Sequence, residues 1–113
     1  MNLRIDNIEL NVSDIARSKA FYGQAFGWTF TDYGPTYTEF TDGFLTGGFT
    51  TAAPANPGGP LVILKTDDLA GARSRVETAG GRITAPAFGF PGGRRFHFVD
   101  PDGYELAVWT PAA

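Results

Sequence analysis

Apolar and polar side chains alternate along the segment IDNIELNVSD, residues 5–14. The apolar positions are Ile8, Leu10 and Val12, and the polar positions are Asn7, Glu9 and Asn11. This period of two predicts a β-strand over residues 4–12, with the apolar face packed on the rest of the fold. The polar face then meets either bulk water or the interior of a binding site.

The period changes to that of an amphipathic helix in the next segment, SDIARSKAFYGQAFG. Ser13 or Asp14 is suited to the N-cap, and Gly27 to the left-handed position past the helix end. Three β-rich runs follow, WTFTDY, TYTEFT and FLTGGFT, with Gly-Pro and Asp-Gly turn signals between them. The first half of the chain therefore predicts the order β-α-β-β-β.

The same order returns after the Pro- and Gly-rich segment TAAPANPGGP. LVILKT predicts a strand, DDLAGARSRVETAGG a helix, and GRITAPA, RRFHFV and YELAVWT three further strands. Ile8 corresponds to Val62 at a shift of 54 (62 minus 8), and Asp42 to Asp102 at a shift of 60 (102 minus 42). The chain is therefore predicted to contain an internal repeat.

The repeat predicts the architecture of the domain. Residues 1–113 are expected to form one domain of the α+β class, with βαβββ units at 1–51 and 61–113 and a linker at 52–60. One face of each sheet packs on its helix, so the opposite faces enclose a concavity. We predict a curved, cup-shaped, eight-stranded mixed sheet with the helices on its outer face, and Asn7 and Glu9 pointing into the cup.

Composition and charge limit the classes of function. A net charge of −3 without a clustered basic face argues against nucleic acid. Neither a membrane-spanning apolar run nor a signal-peptide core is found, so a cytoplasmic location is expected. The chain has no cysteine and one histidine, His97, which excludes thiolate chemistry and a multi-histidine metal cluster within one chain. The aromatic content of 14% is enough for both a core and a stacking pocket.

Two segments of the sequence, taken with the repeat, indicate a resemblance to a known family. They are IELNVSDIARSKAFYGQAFGW, with the pattern V-x-D…S-x-x-FY…GW, and FVDPDGYELAVW near the C-terminus. Together with the repeat, they resemble the vicinal oxygen chelate superfamily, which includes glyoxalase I, bleomycin-resistance proteins and extradiol dioxygenases. The resemblance implies paired βαβββ units, a cup commonly formed at a homodimer interface, and a divalent metal held by His, Gln or Glu at four repeat-related positions.

The resemblance places these four metal-ligand positions at Asn7, Gly47, Leu61 and Ala107. An amide is a weak ligand and the other three side chains have no donor atom, whereas a catalytic metal needs about three strong protein ligands. We therefore predict no metal ligands and no cofactor, which disfavours glyoxalase I and dioxygenase activity. A divalent metal in a displaced site stays open as an alternative.

The candidate site residues are those expected to face the cup. Glu9, Glu105 and His97 are the candidate acid–base groups; solvated rim carboxylates and a hydrogen-bonded structural histidine are the alternative interpretations. The ligand-binding candidates are Asn7, Glu9, Tyr37, Glu39, Leu61, Ile63, Ala107 and Trp109. Arg94 and Arg95 follow FPGG, a predicted mobile loop, and are interpreted as residues of a solvated turn rather than as an anion clamp.

Three hypotheses of function follow from these residues. The favoured one is a metal-free binder of a small aromatic or amphipathic molecule, with a homodimer as the expected assembly. The alternative is a glyoxalase-like isomerase, lyase or epimerase that uses a cup carboxylate or His97 as its base. A purely structural or regulatory partner domain with a filled cup is the third hypothesis.

Overall fold

The computed structural model describes residues 2–113, and its elements follow the predicted order in both halves. The first unit consists of β1 (Asn7–Asn11), α1 (Ile15–Phe26), β2 (Thr29–Asp32), β3 (Tyr37–Thr41) and β4 (Thr46–Thr50). The second consists of β5 (Val62–Lys65), α2 (Leu69–Thr78), β6 (Arg82–Phe90), β7 (Gly93–Val99) and β8 (Glu105–Pro111). The predicted α+β class and the βαβββ repeat are confirmed.

Each unit forms its own four-stranded mixed sheet. The strand orders are β1-β4-β3-β2 and β5-β8-β7-β6. In each sheet the first strand of the unit pairs parallel with the last strand, and the other pairs are antiparallel. The eight predicted strands are thus distributed over two sheets of four, with β1 and β5 each at a sheet edge.

The first helix begins and ends where its sequence predicts. The Asp14 side chain accepts a hydrogen bond from the Arg17 backbone N–H at 3.1 Å, which identifies Asp14 as the N-cap. Gly27 has a φ of 73° and its N–H donates to the Gly23 carbonyl at 3.0 Å. The glycine is needed there because side chains are disfavoured at positive φ.

One aromatic core joins the two units. Phe21 and Tyr22 of α1 are buried, and their rings contact aromatic rings of both sheets. The Tyr22 ring lies 5.2 Å from that of Phe49 on β4, and the Phe21 ring lies 6.1 Å from that of Phe98 on β7. Burying one such side chain contributes about 1.5–3 kcal/mol to the free energy of folding. Separating the units would expose a large share of the core and lose this contribution for several rings.

Polar contacts at the same boundary fix how the units sit together. The Tyr22 hydroxyl of the first unit donates to Asp100 Oδ2 of the second at 2.8 Å. The Tyr104 hydroxyl of the second unit donates to the Asn11 carbonyl of β1 at 2.7 Å. These directional bonds define one arrangement, whereas the apolar core alone tolerates sliding.

The FPGG segment forms a tight hairpin turn, so the predicted mobile loop is wrong. Strand β6 continues to Phe90, which pairs with Gly93 at the start of β7. Gly92 has a φ of 111°, a conformation that hairpin turns require and that glycine adopts without strain. Arg94 and Arg95 therefore lie on a strand. No helix formed by residues 2–113 is long and apolar enough to cross a membrane.

Candidate functional site

The open face of the first sheet, on the side away from α1, brings together several predicted site residues. Glu9 of β1 and Glu39 of β3 both pair with Gly48 of β4, so the three positions share this face. The Tyr37 hydroxyl donates to Glu9 Oε2 at 3.1 Å. Asn7, which is exposed, lies two residues before Glu9 on the same face. Tyr37 passes over Gly48, where a Cβ atom would overlap its hydroxyl.

The hydrogen bond to Glu9 influences the chemistry of Tyr37. Desolvation raises the pKa of the Tyr37 phenol, and the hydrogen bond to Glu9 raises it further. Tyr37 therefore stays protonated at neutral pH and acts on this face as a hydrogen-bond donor.

The open face of the second sheet holds the other predicted residues in a matching row. Ile63 of β5 pairs with Ala107 of β8, which pairs with His97 of β7. His97 Nδ1 lies 3.5 Å from Glu105 Oε2, and the Thr84 hydroxyl donates to the same carboxylate oxygen at 3.0 Å. The His97 side chain is only 14% exposed, and its buried Nε2 has no hydrogen-bond partner within residues 2–113. This second imidazole nitrogen is thus buried without a partner in the described chain.

A shallow aromatic cavity of about 250 Å³, open to solvent, lies beside this row. Its lining side chains are Ile63, Phe90, Arg95 and Trp109. The rings of Phe90 and Trp109 are 6.2 Å apart, and the Arg95 guanidinium lies 5.6 Å from the centre of the Phe90 ring and 5.4 Å from that of Phe88. Apolar walls with a few polar groups are typical of a small-molecule site.

Arg95 is the site residue that the sequence interpretation missed. It is half-buried in the cavity wall, whereas Arg94 is exposed, so the solvated-turn interpretation is wrong for Arg95. The strand pattern of RRFHFV contains the signal for this placement. Phe96 and Phe98 are buried in the core, and the alternation of a strand then places Arg95 and His97 together on the opposite face.

The strand register changes one of the four positions that the superfamily resemblance implies as metal-ligand positions. Gly47 pairs with Ile8 and Phe40 on the core face, where a Cβ atom would overlap the Phe40 ring. The open-face position is Gly48, the counterpart of Ala107 at a shift of 59 (107 minus 48). The reason is turn length, because β4 begins four residues after the Asp of its Asp-Gly turn and β8 only three.

The four positions are thus Asn7, Gly48, Leu61 and Ala107, and Asn7 alone offers a side-chain donor atom. Leu61 is 36% exposed immediately before β5, and Ala107 is fully buried. Among residues 2–113, no three His, Cys, Asp or Glu side chains are close enough to hold one ion.

The candidate acid–base groups lie in separate hydrogen-bonded settings. Glu9 is bound by Tyr37 on the first sheet, and Glu105 is held by Thr84 and His97 on the second. Both glutamates border a cleft of about 1310 Å³ between the edge strands β1 and β5. The structure therefore presents two polar half-sites, one on each sheet.

The fold agrees with a comparison at the level of families. Residues 4–108 match the profile of the Glyoxalase/Bleomycin resistance protein/Dioxygenase superfamily. The chain belongs to this superfamily, as its paired βαβββ units indicate.

Individual relatives and solved structures extend this comparison. The anthracycline biosynthesis protein DnrV of Streptomyces peucetius is 35% identical over 122 residues, which cover 89% of this chain and 44% of DnrV. This chain therefore spans less than half the length of that relative. A glyoxalase-related enzyme from Fulvimarina pelagi superposes with a TM-score of 0.84 at 24% identity, covering 96% of this chain and 88% of the enzyme.

A third comparison is with a solved structure that contains a metal ion. The fosfomycin resistance protein FosX of Listeria monocytogenes, solved with Mn(II), superposes with a TM-score of 0.83 at 16% identity, covering 99% of this chain and 93% of FosX. At these levels of identity the two superpositions show a shared fold.

Proposed function

We propose that this protein binds a small aromatic or amphipathic molecule at the open faces of its sheets, without a metal ion. The aromatic cavity lined by Ile63, Phe90, Arg95 and Trp109 is the observation that carries the proposal. Its volume of about 250 Å³ lies just below the ~300–1,000 Å³ typical of small-molecule sites, which suits a ligand of one or two rings.

Trp109 provides a direct readout of binding. The other tryptophan, Trp28, is stacked in the core between Tyr22 and Phe40 at 4.7 and 4.6 Å, so a cavity ligand should change chiefly the Trp109 emission. We expect two-ring aromatics to quench this emission and raise the melting temperature.

A matched pair of variants tests where the ligand binds. Trp109→Leu should abolish the ligand-induced rise in melting temperature, because it removes the stacking wall of the cavity. Tyr33→Leu removes an aromatic side chain that is 60% exposed in the first unit, and it should bind as the wild type does. Equal binding by the Trp109→Leu variant would contradict the proposed site.

Metal independence rests on the donor atoms at the four family positions. Asn7 is the only one with a side-chain donor, and three strong ligands are the usual minimum for a catalytic ion. We expect substoichiometric zinc, nickel and manganese after dialysis against each ion, with no change of melting temperature on adding a chelator. Stoichiometric binding of one of these ions would refute this part of the proposal.

A second copy of the chain is the proposed partner. The two half-sites lie on separate sheets, the edge strands β1 and β5 border an open cleft, and an open strand edge favours pairing with another chain. The radius of gyration of 14.3 Å exceeds the ~13 Å of a compact domain of this length. Sedimentation equilibrium should report twice the chain mass of 12.1 kDa, and a monomer at every concentration would contradict the dimer.

An enzymatic function is the second candidate, and the His97–Glu105 contact favours it. A carboxylate 3.5 Å from Nδ1 favours one orientation of the imidazole, and the unpaired Nε2 would act as the base once a substrate displaces the side chains that bury it. We expect the wild type to exchange the α-hydrogens of 2-hydroxyacetophenone with D2O, and His97→Asn to lose this exchange. Glu9→Gln, on the other sheet, should retain it, and equal rates in the wild type and His97→Asn would exclude His97 as the base.

A further inference from the structure

The Arg95 side chain carries a charge that the described protein does not neutralise. The ion pairs within residues 2–113 are Arg17–Asp102, Lys19–Asp32, Arg73–Glu77 and His97–Glu105. None of them involves Arg95, and its buried Nε has no hydrogen-bond partner in the described chain. Since a buried, unpaired N–H of a charged group is costly, its retention needs an explanation.

Stacking on aromatic rings explains part of this arrangement. The guanidinium lies 5.4 Å from the centre of the Phe88 ring and 5.6 Å from that of Phe90, within the range of cation–π attraction. These contacts place the guanidinium carbon over the faces of two rings. Because Nε is buried, the terminal N–H groups of the guanidinium are the donors that an acceptor in the cavity can reach.

The surroundings of Arg95 are basic. Lys65 Nζ lies 5.6 Å from the centre of the Trp109 ring, and Trp109 pairs directly with both Lys65 and Arg95 in the sheet. His97, two residues along β7 and therefore ~7 Å away, contributes a second buried nitrogen without a partner in residues 2–113. Glu105 is the acidic group on this face, and it is already bound by His97 and Thr84.

From this arrangement, and resting on the proposed function, we propose that the ligand of the aromatic cavity is a planar aromatic acid. Its carboxylate accepts hydrogen bonds from Arg95, and its ring lies against Trp109 and Phe90. A carboxylate is favoured because it matches the planar fork of a guanidinium with two parallel bonds. The cavity volume of about 250 Å³ suits a ring system of one or two rings.

Two probes of nearly the same shape test the charge requirement. 2-Naphthoate carries the carboxylate and 2-naphthamide is its neutral counterpart, and both are titrated into the wild-type protein by calorimetry. We expect naphthoate to bind about 10- to 100-fold more tightly, the usual range for a charge-assisted pair. Equal or tighter binding of the amide would overturn the proposal.

Two neighbouring arginines provide a matched pair of variants. Arg95→Met keeps the chain length and loses the charge; it should lower naphthoate affinity by about 10- to 100-fold and leave naphthamide affinity within about threefold. Arg94→Met removes the same charge from an exposed side chain on the other face of β7, so naphthoate affinity should be unchanged. An equal loss in both variants would assign the effect to overall charge and overturn the proposal.

The outcomes separate this inference from the function on which it rests. One outcome is that both probes bind with equal affinity, that Trp109→Leu abolishes this binding and that Arg95→Met does not affect it. This outcome would support the binding site and overturn the proposal that its ligand is an acid. Failure of both probes to bind would overturn the site itself. If Arg95→Met does not fold, Arg95→Lys replaces it, because lysine keeps the charge without the fork and should lose about tenfold in naphthoate affinity.

Discussion

The hydrogen bond between Tyr22 and Asp100 should make a measurable contribution to stability, because it joins the two units in the core. Tyr22 is 0% exposed and Asp100 is 5% exposed, and the hydroxyl lies 2.8 Å from Oδ2. Tyr22→Phe keeps the ring and leaves a buried carboxylate oxygen without this donor. The expected loss of unfolding free energy is about 1–3 kcal/mol at pH 7.

Thermal and urea unfolding monitored by circular dichroism measure this loss. For a domain of this size, each kcal/mol lowers Tm by about 4 °C, so Tyr22→Phe should melt about 4–12 °C below the wild type. Tyr33→Phe is the matched control, since Tyr33 is 60% exposed at the β2–β3 turn, and it should melt with the wild type.

The same variant should change the response to alkaline pH. Burial, followed by the charge of Asp100, raises the pKa of Tyr22 well above its usual value of 10.0. The unfolded chain therefore releases this proton first, so stability is complete below about pH 10 and is lost as the pH rises beyond it. Tyr22→Phe should lose less stability above this pH. Identical stability at pH 7 and identical alkaline slopes would refute the reasoning.

Three further predictions concern other parts of the fold. Burial raises the pKa of the Asp100 carboxyl, so the unfolded chain loses this proton first as the pH rises. The free energy of unfolding of the wild type should therefore fall, relative to that of Asp100→Asn, between about pH 4 and 7, and urea titrations at both pH values would detect this trend. Gly47→Ala should lower the free energy of unfolding by more than about 2 kcal/mol, because the new Cβ meets a core ring and backbone. Gly48→Ala should lower it by less, because its Cβ meets the movable end of a tyrosine, and chemical denaturation compares the two variants. Glu9→Gln should lower the pKa of Tyr37 in a spectrophotometric titration, and an unchanged value would count against their hydrogen bond.

Local periodicity was enough to predict the elements of this fold. The alternation in IDNIELNVSD placed Leu10 and Val12 toward the core and Glu9 away from it, and the structure agrees. For the same kind of reason, the sequence predicted that the helix of the first unit begins at Ser13 or Asp14 and ends at Gly27, and the structure selects Asp14 as the N-cap. Such features depend on neighbouring residues along the backbone, so they can be read directly from the chain.

The registers between distant strands could not be predicted in this way. A difference of one residue in turn length moved the open-face position from Gly47 to Gly48, since a shift of one residue reverses the face of every side chain. The strand boundary near FPGG was missed for a related reason, because the pairing of Phe90 with Gly93 extends β6 up to the turn.

The sequence by itself therefore determined the repeat, the elements, the superfamily resemblance and the scarcity of metal donors at the four family positions. Only the tertiary structure decided that the eight strands form two sheets and that Glu9 and Glu105 have separate partners. It also placed Arg95 between aromatic rings beside Trp109. These features depend on contacts between segments far apart in the chain, and such contacts are set by register and packing rather than by local periodicity.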